Sequence, residues 1–192
     1  MLQKGSYNAI LIEPLPFFVD TLKNLYSNRT DIKIIQAAAG KTNEIKTLFY
    51  IPNDIALEMN GEGPQNNWAL GQGSFSKENV IYWINSNSFR GASYVKKMDY
   101  WIKNINEIKV NVIATKELLP STTDIVLLVI DVQGFELDVL KGIDWQFPPK
   151  YIMIEEDLNN REARNYLLSK KYNLISDSSN NLFFTLNEVN KS

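Results

Sequence analysis

The sequence contains no cysteine and no histidine. Without thiols there is neither a disulfide framework nor thiolate chemistry. Without imidazole, Ser-His-Asp machinery and histidine-based metal sites are excluded. Any catalytic base must then be a carboxylate, a lysine or a tyrosine. A basic excess is missing as well: 20 Lys and Arg face 22 Asp and Glu, for a formal net charge of -2. That balance argues against a nucleic-acid partner. No apolar run approaches the length of a membrane span. The opening Met1-Leu2-Gln3-Lys4-Gly5 has no apolar signal core. These absences lead us to expect a soluble, cytoplasmic domain. With 192 residues, 44% of them hydrophobic, the chain can bury one real core.

What is present reads as alternating strands and helices. Ala9-Ile10-Leu11-Ile12 is a short apolar run closed by Glu13-Pro14-Leu15-Pro16, the pattern of a buried parallel strand. Phe18, Leu22, Leu25 and Tyr26 then recur at helical spacing. Ile32-Lys33-Ile34-Ile35 is a second strand, leaving through Gln36-Ala37-Ala38-Ala39-Gly40, and residues 45–51 form a third. From 52 to about 94 Asn, Gly and Ser dominate, with Trp68, Phe75, Tyr82, Trp83 and Phe89 among them. That stretch is too aromatic for a disordered linker. It predicts a loop-rich ordered insertion, with a short strand or helix near Val80 to Ile84. Long loops of this kind are often functional lids.

Residues 108–115 alternate as a strand, and Ile125 to Ile130 is the most apolar strand of the chain, so it is expected to be the most buried. A helix follows over 135–143, a strand over 151–154 and a helix over 161–171. Two closing strands, 172–176 and 182–186, are joined by a polar turn. The predicted fold is one α/β domain with a mostly parallel sheet and an antiparallel C-terminal edge.

In such sheets ligands bind at the carboxyl ends of the strands. Glu13 there can accept ribose hydroxyls, or simply cap the helix after Pro16. Asp131 ends the most apolar strand, and it either faces a ligand cleft or caps a strand-to-helix turn. Glu136, one turn into the next helix, is either a base or a residue that favours the helix N-terminus. Glu155, Glu156 and Asp157 could hold a metal or a polar substrate, or form a solvated loop. The aromatic residues of the insertion are either a substrate wall or a local mini-core.

Taken in order, Leu11-Ile12-Glu13-Pro14, then Gln36-Ala37-Ala38-Ala39-Gly40, then Ile130 to Gly142, then Pro149 to Glu155 resemble the FkbM methyltransferases over nearly the whole chain. Ile130 to Gly142 is the specific stretch, with Gln133 standing where the family has an acid. The resemblance implies a class I, Rossmann-like fold and S-adenosylmethionine as cofactor, with no metal. It places Glu13 at the ribose, Ala38 and its neighbours beside the adenine, and Asp131 at the methionine end. It implies O-methylation of a hydroxyl on a sugar or small metabolite, with Asp131 or Glu136 as base and Glu155 as a third candidate. The family's glycine loop would precede the ribose acid by about 20 residues. Only twelve residues precede Glu13, so the expectation is an N-terminally incomplete sheet. An upstream segment or partner chain would then complete it, or the chain would be a non-catalytic binding module on the same scaffold. A nicotinamide-dependent dehydrogenase needs the same glycines and leaves Ile130 to Gly142 unexplained.

Overall fold

The computed structural model describes residues 8–60, 69, 72–119, 125–156, 161–178 and 181–187. Within them the first unit is a parallel pair, β1 (Ala9–Ile12) on β2 (Ile32–Ile35), bridged by helix α1 (Pro16–Leu25). Pro16 suits the first turn of α1, where a backbone N–H would have no partner in any case. Val19 is the buried contact of this helix.

The second unit is a sheet in the order β3-β6-β4-β5. Its long strand β6 (Asn106–Ala114) runs parallel to β3 (Ala38–Gly40) and antiparallel to β4 (Glu44–Tyr50). Leu48, Val110 and Val112 pack from this sheet against Leu15 and Ala38. Between β4 and β6 lies the insertion, and its described residues are mostly helical. It comprises α2 (Asn53–Asn60), β5 (Gly73–Ser74), α3 (Lys77–Ser86), a 3-10 turn at Ser88–Arg90 and α4 (Ala92–Lys103). The loop-rich expectation is corrected here. Ser76 accepts the backbone N–H of Asn79 at 3.2 Å and caps α3, and Val80 and Ile84 are its buried face. Trp68 and the glycine-rich residues 61–67 lie outside the described residues.

The third unit is a sheet in the order β7-β8-β10-β9, after the short helix α5 (Thr115–Leu118). Strand β7 (Leu127–Ile130) is parallel to β8 (Tyr151–Glu155), while β10 (Asn181–Leu186) runs antiparallel to both β8 and β9 (Tyr172–Ser178). The antiparallel C-terminal end is therefore as expected, although two residues of its turn, Ser179 and Asn180, lie outside the described residues. Helices α6 (Glu136–Lys141) and α7 (Glu162–Ser169) cover one face, burying Leu140, Ile152, Ile154, Leu167, Leu182 and Phe184.

Two further differences from the sequence reading are physical. The described strands make three sheets, not one mostly parallel sheet: β1-β2 is parallel, and the other two are mixed because β4 runs antiparallel to β6 and β10 inserts between β8 and β9. And β7, expected to be the most buried strand, is an edge with one neighbour among the described residues. Leu127 is 51% exposed and Val129 52%, whereas Ile130 on the covered face is buried. Among the described residues no helix is long and apolar enough to cross a membrane.

Candidate active site

The turn after β7 is built by Asp131-Val132-Gln133-Gly134. Gln133 and Gly134 both adopt the left-handed region, with φ of 52° and 96°. Glycine takes this conformation freely, but glutamine does so only when its surroundings hold it there. Here the holding groups come from the insertion. The Ser74 hydroxyl donates to the Gln133 carbonyl at 2.8 Å, and the Asn79 amide approaches the same oxygen at 3.4 Å. A Cβ on Gly134 would come within 2.5 Å of that Asn79 amide, so the contact also requires glycine. Phe75 of the insertion meets Phe135 edge to face at 4.7 Å, and the Lys46 ammonium sits 4.9 Å from the Phe135 ring.

The turn gathers three acids. The Gln133 side-chain nitrogen donates to Asp131 at 2.8 Å and to Glu155, at the end of β8, at 2.9 Å. Glu136 accepts the backbone N–H of Gly134 at 3.0 Å and that of Val132 at 3.3 Å. It therefore closes the turn that starts α6. None of the three acids enters an ion pair among the described residues. Burial pushes Glu155 up to about 7, and the neighbouring Asp131 pushes it the same way, while the Gln133 amide opposes them. Burial likewise raises Glu136, against the backbone N–H groups that favour its charged form.

The other sequence candidates fall in separate places. Glu13 ends β1, its backbone N–H donating to Ile35 at 3.1 Å, and its carboxylate accepts the Leu15 N–H at 2.8 Å. Burial raises it. Its second carboxyl oxygen makes no hydrogen bond among the described residues. Ile12, just before Glu13, packs on the core that contains Ile130, just before Asp131. The two acids thus leave one shared core from the carboxyl ends of two parallel pairs. Ala38 is buried in β3, packed with Leu15, Val110 and Val112. The run after β8 is divided: Glu155 faces Gln133, Glu156 approaches Arg164 at 3.6 Å, and Asp157 lies outside the described residues. Among the described residues no cluster of acids is placed to hold a metal ion.

The aromatic residues of the insertion also divide. Tyr94 and Trp101 meet edge to face at 4.7 Å inside a local core, Phe75 reaches the turn after β7, and Phe89 is exposed. An apolar cleft lined by Leu15, Pro16, Phe18, Tyr50 and Pro52 begins two residues beyond Glu13. Sequence reasoning missed Gln133, Ser74 and Asn79 as site residues. Gln-Gly after a strand-end acid signals a turn with positive φ. The contacts from Ser74 and Asn79 span more than fifty residues and leave no local trace.

Comparison with known proteins agrees with this architecture. Residues 1–174 match the family model of the methyltransferase FkbM domain. The fold is similar to a crystal structure of a methyltransferase FkbM from Methylobacillus flagellatus KT, with a TM-score of 0.50 and 14% sequence identity. That match covers 93% of this chain and 36% of the other, so the chain spans little more than a third of that protein's length. No curated protein matches the chain by sequence.

Proposed function

The chain belongs to the FkbM methyltransferase domain family, and on that premise we propose that it is an S-adenosylmethionine-dependent methyltransferase acting on a hydroxyl of a sugar or small metabolite. The observation that carries this reading is the gathering of Asp131, Glu136 and Glu155 around one turn at the carboxyl end of a parallel strand pair. Bound there, the cofactor would supply an electrophilic methyl group on a sulfonium. Glu13 suits the ribose, because one carboxyl oxygen is left beyond the Leu15 bond. Ala38 is packed inward and Ala37 is buried as well, so of this run the exposed Gln36 would meet the adenine most freely. Asp131 suits the cationic methionine end.

The chain's own contribution would be to orient the acceptor and take its proton. A base works best when it titrates near the working pH. Glu155, at about 7, meets that condition. Both Glu136 bonds run through one carboxyl oxygen to backbone N–H groups, which gives it an additional structural role. The finer fold belongs to the same proposal. In a Rossmann-like arrangement the pairs β1-β2 and β7-β8 would join one sheet through a strand from an upstream segment or partner chain. A second reading, a binding module on this scaffold, is favoured by the Leu15 bond, which gives Glu13 a structural task.

Calorimetric titration with S-adenosylmethionine and S-adenosylhomocysteine separates the two. The enzyme reading expects dissociation constants within about 1 μM to 1 mM, the range usual for enzyme substrates. Absence of binding across that range leaves the module. In a methyl-transfer assay, Asp131→Asn or Glu136→Gln should lower the rate by about 10²- to 10⁴-fold if that residue is the base. Unchanged rates in both remove them from that role and leave Glu155.

A further inference from the structure

We propose that Gln133 is a positioning residue that holds the side chains of Asp131 and Glu155 as one pair, and that Ser74 and Asn79 of the insertion hold Gln133 in place to do so. One amide nitrogen reaches both acids, at 2.8 and 2.9 Å, across the gap between the ends of β7 and β8. Two carboxyl groups at such a spacing repel when both are charged, so a shared proton or a bridging donor must hold them together. Gln133 supplies the donor and brings no charge. A glutamate at this position would add a further negative charge, and an arginine would fix both partners as anions.

The backbone makes the bridge directional. Gln133 is held at φ 52° by the Ser74 hydroxyl and the Asn79 amide, which meet its carbonyl. Ser74 is itself buried, so its hydroxyl is fixed by its surroundings. The Gln133 side-chain oxygen is buried without a hydrogen-bond partner among the described residues, a cost that fits a nitrogen turned the other way, at the acids. The charged groups that face Glu155 are Asp131 at the end of β7 and Glu136 on α6, and its cross-strand neighbour on β10 is the uncharged Asn181. The insertion therefore sets, through Gln133, the spacing and the proton affinity of an acid pair that stands at the ends of β7 and β8.

The inference uses the acid cluster on which the proposed function rests but not methyl transfer itself, so its test needs no cofactor. The side-chain carboxyl carbon of Glu155 is followed by 13C NMR from pH 4 to 9 in the full chain. The unaltered protein should titrate well above an ordinary glutamate. In Gln133→Leu the pair should separate and the Glu155 midpoint should fall part of the way toward the ordinary value, because the Asp131 contribution is relieved while burial remains. The double variant Ser74→Ala, Asn79→Ala should move it in the same direction by less, and it serves if Gln133→Leu does not fold. A merely local donor would give the opposite sign, because losing a bond to the charged form raises the midpoint. An unchanged or raised midpoint in the folded variants, or an ordinary midpoint in the unaltered protein, overturns the proposal.

Discussion

The insertion and the edge of the β7-β8-β10-β9 sheet exchange the places that their composition assigns them. The insertion is rich in Asn, Ser and Gly, yet Ile51, Ile55, Met59, Val80, Ile84, Tyr94 and Trp101 close a core of their own within and beside it. Strand β7 is nearly all aliphatic, yet Leu127 and Val129 stand half exposed. The difference lies in neighbours. Each buried side chain of the insertion has helices α2, α3 and α4 to pack against. Among the described residues strand β7 has one strand beside it, and helices cover one face only. Apolar composition measures the tendency to be buried, while the number of packed neighbours decides whether burial occurs.

Three substitutions test that contrast, and their costs should fall in order. Trp101→Ala removes a side chain that is 2% exposed and packed edge to face on Tyr94, so it should destabilise the fold by about 3–5 kcal/mol in urea titration. A loss below about 1 kcal/mol would mean that the insertion core is not a true core. Gly142→Ala comes next, at roughly 1–3 kcal/mol, because a Cβ there would lie 2.0 Å from the Gly40 carbonyl. Its lowered melting temperature would show that the α6 end and β3 are locked by close approach. Val129→Thr should cost least, under about 0.5 kcal/mol, since its methyl groups already meet water. A cost equal to that of Trp101→Ala would erase the distinction between the two regions.

Much of the fold was legible. The first two strands, the helix between them and the C-terminal hairpin follow from short apolar runs punctuated by Pro and polar turns, since those signals are local. Helix α4 was less so. Met98, Trp101 and Ile102 do sit on a packed face, but the polar stretch before them disguised its beginning. At the site, the position of Asp131 was readable from the strand that ends there. The division of Glu155 from Glu156 follows from strand alternation, which sends successive side chains to opposite faces. The bridge through Gln133 was not readable. In sequence it counted only as a departure from an acid, and its partners on β5 and α3 are brought near by tertiary packing alone.

Strand β10 follows both of its sheet neighbours in the chain, yet it lies between them, and Leu182 and Phe184 are almost fully buried there. A ribosome delivers β8, α7 and β9 first. Until residues 181–186 emerge, β8 and β9 have no strand to share, and the apolar side of α7 has an unfinished floor. Closure of this sheet therefore waits for the last of its strands to be made, and a nascent chain halted just short of β10 would present sticky surface to chaperones.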